Sequence, residues 1–174
     1  MTRDDPVLIR RAEPRDVSAL GRFGAALVRA HHAFDSRRFL APGPRVEEDY
    51  AHFLGTQLAD EDVAIFVAER GGAIVGYVYA GFEPRSWKEL RDVAGFIHDV
   101  VVDPGARGAG VGTRLIETAA AWLITRGAPR VMLWTAEKNR DAQRLFEQLG
   151  FRRTMIEMTR EAQSSAPKHA HGGE

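Results

Sequence analysis

Phe96-Ile97-His98-Asp99-Val100-Val101-Val102-Asp103-Pro104-Gly105-Ala106-Arg107-Gly108-Ala109-Gly110-Val111-Gly112-Thr113-Arg114 is the stretch on which the reading of this sequence turns. Ile97 to Val102 is rich in β-branched residues and runs into Asp103-Pro104-Gly105, the pattern of a buried strand followed by a turn. From Val111 onward, Leu115, Ala119, Trp122 and Leu123 recur at helical spacing. Gly108, Gly110 and Gly112 therefore lie between a strand end and a helix start. Unpaired N–H groups and the positive end of the helix dipole meet there, and glycine lets a phosphate come close to them.

Two familiar glycine patterns fail on this turn. The P-loop needs Gly-Lys-Ser/Thr, whereas Gly112 is followed by Thr113 and Arg114. The dinucleotide pattern G-x-G-x-x-G lacks its third glycine at the required offset. What remains is Arg107-x-x-Gly110-x-Gly112, which resembles the pyrophosphate-binding signature of the GNAT superfamily of acetyl-CoA-dependent N-acetyltransferases. The alternative is a loop that needs positive φ or close helix–strand packing.

Working outward, Val7 to Ile9 reads as a short strand and Pro14 as the first turn of a helix, with Asp16 suited to its dipole. Val17, Leu20, Leu27, Val28 and His31 share a face of that helix, and Gly21 and Gly24 on it mark close packing. His31-His32 reads as solvated or core histidine, since adjacent residues point to different sides of a helix and no carboxylate stands at ligand spacing. Phe34 to Pro44 is a loop. Val46, Tyr50, Phe53, Leu54 and Leu58 form the stripe of a second helix. Glu47, Glu48 and Asp49 in its first turn either complement the dipole on a solvated face or attract a cationic acceptor.

Val63 to Glu69 and Ala73 to Phe82 are strands joined by Arg70-Gly71-Gly72, a hairpin signal, with Tyr77 and Tyr79 on one face. Glu83 to Asp92 is a loop. Gly127-Ala128-Pro129 ends the long helix, and Val131 to Trp134 is another strand. Asn139 to Phe151 then carries Ala142, Leu145, Phe146 and Leu149 on one helical face closed by Gly150. Phe151 to Thr159 is expected as a last strand and 160–174 as a flexible tail, in which His169 and His171 are unstructured.

The block from Asn139 also resembles GNAT sequences: Asn139, Ala142, Leu145-Phe146 and Gly150-Phe151 occupy the family's places. The resemblance covers most of 7–159 as one N-acetyltransferase domain. It implies a single-domain α/β (α+β) fold in the order β-α-α-β-β-β-α-β-α-β, with a mixed, twisted central sheet splayed at the cofactor site and about four flanking helices. Acetyl-CoA would be the co-substrate, with no metal. The backbone of Val100, Val101 and Val102 would pair with the pantetheine arm. Arg107, Gly108, Ala109, Gly110, Val111, Gly112 and Thr113 would cradle the pyrophosphate, and Asn139 and Phe146 would touch the cofactor. The acetyl group would pass directly to a primary amine of a small molecule or peptide; the alternative is a non-catalytic acetyl-CoA sensor.

An alkylammonium with a pKa of about 10.4 is free base in only about one molecule in a few thousand at pH 7, so a base is needed. His98 is the candidate, nine residues before Arg107, where diamine acetyltransferase-like members carry a glutamate; a partly buried structural histidine is the other reading. Strand alternation predicts that Asp99 faces away from the cleft. A backbone N–H in Val100 to Val102 would polarise the carbonyl. The family's usual tyrosine acid is replaced by Phe146, which leaves Tyr50, Tyr77, Tyr79, a water, or unassisted departure of the thiolate.

Composition sets the outer bounds. The chain of 174 residues, 44% hydrophobic and 28% charged, suits one globular domain. Lys+Arg and Asp+Glu both number 24, so no basic field points to nucleic acid. There is no cysteine, which removes disulfides, thiolate metal sites and a cysteine nucleophile together. No apolar run suggests a leader or a membrane span; a cytoplasmic protein is expected, with a homodimer left open.

Overall fold

The computed structural model describes residues 5–162. Five strands form one sheet in sequence order: β1 (Leu8–Arg11), β2 (Val63–Arg70), β3 (Ala73–Glu83), β4 (Ala94–Val102) and β5 (Val131–Leu133). The first four are antiparallel to their neighbours and β5 runs parallel to β4, so the sheet is mixed. Helices α1 (Val17–Phe34) and α2 (Val46–Gln57) precede the β2–β3 hairpin, α3 (Val111–Thr125) crosses from β4 to β5, and α4 (Arg140–Gln148) follows β5.

Alternation along the strands sorts the core into two layers. Val63, Ile65 and Val67 of β2, with Tyr77 and Tyr79 of β3, meet Leu20 of α1 and Leu54 of α2. Ala64, Phe66 and Ala68, with Val78, Ala80 and Ile97, meet Val111, Leu115, Ile116, Ala119 and Leu123 of α3 on the other face. Burial on both faces explains why β2 reads as a continuous apolar run.

The close packing expected at Gly21 and Gly24 is the α1–α2 contact. A Cβ at Gly24 would overlap the Tyr50 ring, and one at Gly21 would press on the Glu47 carbonyl oxygen and Ala51. Asp16 does more than face a helix dipole: it is buried, takes two bonds from the Arg10 guanidinium at 2.7 and 3.0 Å, and accepts the Glu13 N–H at 2.8 Å. The Arg10 bonds hold its carboxyl below the usual aspartate range.

The ladder between β4 and β5 spans only Gly95, Phe96 and Ile97 against Val131, Met132 and Leu133. Beyond Ile97, β4 stays paired with β3 while its other edge has no ladder partner among the described residues. This is the splay expected of the sheet.

The strand expected over Phe151 to Thr159 does not form; 151–162 is irregular and almost wholly exposed, with Met155, Ile156 and Met158 turned outward. A strand needs a neighbouring edge, and β5 is three residues long. Arg38 instead ties this segment to the α1–α2 loop through a fork on Glu157. Of the tail expected at 160–174, residues 160–162 are exposed and irregular and the rest lies outside the described residues. Among the described residues no helix is long and apolar enough to cross a membrane.

Candidate active site

Where β4 leaves β5, a cavity of about 280 Å³ opens between these strands, α1, the α1–α2 loop and α4. His98, Val100, Asn139 and Phe146, four of the residues singled out from the sequence, lie on its wall. So does Asp99, which alternation had placed on the far side.

A β-bulge is the reason. Tyr79 pairs with Asp99 and Ala80 with Ile97, so His98 is one residue more than β3 can match. The extra residue resets the alternation, and His98 and Asp99 both emerge on the face that carries Tyr77 and Tyr79. The His98 ring lies between Phe96, stacked at 5.2 Å, and Tyr79 at 4.7 Å, with 31% of its side chain exposed. Its Nε2 is 3.4 Å from Glu83 Oε1. Arg91 also engages Glu83, and burial of the imidazole outweighs the neighbouring Asp99 charge and pushes it below its usual pKa of 6.5. A neutral imidazole whose Nε2 carries the proton keeps a lone pair on Nδ1.

Asp99 is 9% exposed and accepts the Tyr50 and Tyr77 hydroxyls, both on Oδ2, at 2.7 and 2.8 Å. Burial raises its carboxyl above the usual 3.8 in spite of these donors. Burial, reinforced by the Asp99 charge, also raises both phenols. Of the tyrosines considered as acids, Tyr50 and Tyr77 are thus committed to Asp99, and Tyr79 donates to Gln57 Oε1 at 3.1 Å.

The glycine turn stands at the far end of β4. Asp103 Oδ1 accepts the Gly105 N–H at 2.8 Å, and Arg107 Nε donates to Val102 O at 3.2 Å. Gly108 and Gly110 have φ of +77° and +72°, with no atom within 4 Å of where a Cβ would stand. Arg107, Gly108, Ala109 and Gly110 are exposed and Val111 anchors the start of α3 in the core. Gly112 packs close to Leu145 of α4 and Val102 of β4, so Gly112 has a packing role as well. Thr113 is half-buried on the first turn of α3.

Asn139 caps α4 by accepting the Ala142 N–H at 3.3 Å, and Phe146 is buried with its ring 6.0 Å from Phe151. Val101 packs on the α1–α2 side of β4 and Val102 on the α3 side. His31 lines the cavity with Nδ1 2.9 Å from Leu27 O, as a partly buried histidine. Glu47, Glu48 and Asp49 are exposed, two of them paired with Arg29 and Arg45, and none lines the cavity.

The arrangement offers an extended molecule a strand edge to lie along and an anionic group a glycine turn at a helix start. The β4 edge is free to pair, the turn offers exposed N–H groups with open space before them, and Thr135 Oγ1 on the cavity wall is buried without a partner. Sequence reasoning turned Asp99 away from the cleft and missed Trp134 and Thr135. For Asp99 the missing signal was the bulge at His98, which no residue type announces.

The acetyltransferase (GNAT) family model matches residues 28–151. Mycothiol acetyltransferase of Thermomonospora curvata is 37% identical over 98 residues, 56% of this chain and 31% of that protein, so the matched part spans about a third of the relative. A transcriptional regulator from Bacillus halodurans C-125 superposes with a TM-score of 0.71 at 26% identity, covering 90% of this chain and all of the other. An aminoglycoside N-acetyltransferase, AAC(6')-Iy, solved in complex with CoA, superposes with a TM-score of 0.72 at 16% identity, over 94% of this chain and 99% of that one, a likeness of fold.

Proposed function

Because this chain belongs to the GNAT acetyltransferase family, we propose that it transfers an acetyl group from acetyl-CoA to a primary amine of a small molecule or peptide. The observation that carries this reading is the single cavity wall on which the free edge of β4, His98 and Asp99 meet. Acetyl-CoA supplies the activated thioester. The backbone of Val100, Val101 and Val102 would hold its pantetheine arm as an added strand, and a free N–H of that edge would polarise the carbonyl. Arg107, Gly108, Ala109, Gly110, Val111, Gly112 and Thr113 would hold the pyrophosphate. The Asn139 amide N–H and the Phe146 ring would flank the arm on the α4 side.

His98 would take the proton of the acceptor ammonium. Its lowered pKa keeps it neutral at pH 7, as a base must be, and its stacking between Phe96 and Tyr79 fixes the ring plane. Phe146 has no proton to give, so the departing thiolate would take its proton from solvent or leave as the thiolate, with the proton of the new ammonium available to it; a thiol pKa of about 8.5 makes that tolerable.

Incubation with acetyl-CoA and a panel of primary amines tests the reading, following thiol release and acetylated product together. Product with at least one amine, lost in His98→Ala, is expected. Tight acetyl-CoA binding with no product from any amine would make the chain a sensor instead.

A further inference from the structure

The wall opposite β4 is hydrocarbon. Leu27 and Val28 of α1, Phe39 and Leu40 of the following loop, and Leu133 and Trp134 at the end of β5 face the cavity. Leu40 and Trp134 are 79% and 73% exposed, large apolar groups left open at the site. Facing it from β4 is the one carboxylate of the cavity lining, Asp99.

Asp99 has no Lys or Arg partner among the described residues: its Oδ2 is taken by two phenols and its Oδ1 accepts no hydrogen bond. The titratable groups around it are Tyr50, Tyr77, His98 and His31, of which the first two stay neutral and His98 is held neutral by burial. A buried carboxylate without a cation is costly, and the cost falls when a cation is brought to it. No Lys or Arg lines the cavity. The basic residues next to the lining segments are occupied, Arg38 by Glu157 and Lys138 by the Phe34 carbonyl at 2.6 Å.

We infer, resting on the acetyltransferase reading, that the acceptor is a small monoamine with an apolar aromatic or alkyl body, its ammonium docked on Asp99 and its body against Leu40 and Trp134. A phosphate or carboxylate on the acceptor finds no Lys or Arg on the cavity wall. A polycationic amino sugar finds one anion, and its many hydroxyls would face a wall that is mostly hydrocarbon, with few polar groups such as Thr135 and Asn139 to receive them. The volume, just under the roughly 300–1,000 Å³ of drug-sized sites, agrees with a small body.

Calorimetric titration of the full chain in the presence of CoA, so that nothing reacts, tests this apart from catalysis. Propylamine, butylamine, pentylamine, hexylamine and 2-phenylethylamine are compared with glucosamine 6-phosphate and kanamycin. Affinity should rise about threefold to fourfold per added methylene, as burial of each CH₂ predicts, and 2-phenylethylamine should bind at least tenfold more tightly than either sugar. Asp99→Asn should weaken every alkylamine at least tenfold with CoA affinity kept. Trp134→Ala, at an exposed position that leaves folding intact, should weaken 2-phenylethylamine more than propylamine, and it carries the test if Asp99→Asn does not fold. A flat alkylamine series, tighter binding of a sugar, or no response to either variant overturns the inference. Turnover confined to the sugars overturns it while leaving the acetyltransferase reading standing; apolar amines that bind but are never acetylated overturn the latter alone.

Discussion

His98 and Asp99, neighbours in sequence, stand on the same face of β4 because His98 is the unmatched residue of a bulge opposite Tyr79 and Ala80. A flat strand would have sent one of them to the α3 side, into a wholly apolar layer. With the bulge, a neutral imidazole and a buried carboxylate share one cavity wall, and the two titrate in opposite senses.

Burial pushes His98 below 6.5, and a base works only when deprotonated, so amine acetylation should fall as the pH drops through that lowered value. The acidic limb of the pH–rate profile should therefore lie below pH 6.5 for wild type and be missing in His98→Ala. Turnover should drop about 10²-fold or more in the variant, with acetyl-CoA affinity little changed. Identical profiles would move the base to another group.

The sign is opposite for Asp99. Its carboxyl titrates higher in the folded chain than the usual 3.8, so the folded state holds its proton longer and stability falls as pH rises through the raised value. Asparagine keeps an acceptor for Tyr50 and Tyr77 without the buried charge. Thermal melts of free protein should show Asp99→Asn at least as stable as wild type at pH 7, with the difference closing toward pH 3.8. A variant markedly less stable at pH 7 would show that the bonds from Tyr50 and Tyr77 to the charged carboxylate outweigh its burial.

At Gly110 the backbone is left-handed, with φ of +72° and open space beyond. Gly110→Trp should fold at a cost of about 1–2 kcal/mol, since only the conformation of one residue is strained. It should weaken acetyl-CoA at least tenfold by crowding the N–H groups of the turn. Unchanged affinity in a folded variant would remove the pyrophosphate from this place.

Gly24→Ala acts at a distance. The new methyl collides with the Tyr50 ring, whose hydroxyl holds Asp99, so stability should fall by about 1–3 kcal/mol and acceptor affinity with it. Denaturant unfolding and amine titration of the same preparation check both effects; a change in stability alone would separate helix packing from the site.

Phe146 is buried against Phe151 on the cavity wall. Phe146→Tyr should keep the melting temperature within a few degrees and leave kcat equal or higher, because the hydroxyl adds a donor on the wall where the thioester is proposed to lie. A large loss of kcat with CoA binding intact would give the ring a role that packing does not describe.

Most elements could be read from the chain because local rules fix them. β-branched runs gave β2, β3 and β4, the 3.6-residue period gave all four helices, and Gly71-Gly72 gave the hairpin. The glycine turn was legible for the same reason: a strand end, an arginine, spaced glycines and a helix start all lie within nineteen consecutive residues, Phe96 to Arg114. The terminal strand was misread because β-propensity speaks for one segment and pairing needs two, and β5 is too short to receive Phe151 to Thr159.

What only the tertiary structure decided is which side chains meet. The sequence by itself determined the family and the place of the glycine turn, both written in residues close together along the chain. The facing of Asp99, its clamp by Tyr50 and Tyr77, and the apolar wall of Leu27, Leu40 and Trp134 join residues from α1, its following loop, α2, β3, β4 and the end of β5. A one-residue mismatch between β3 and β4 sets that meeting, and a register mismatch is a property of two strands together, which neither strand carries alone.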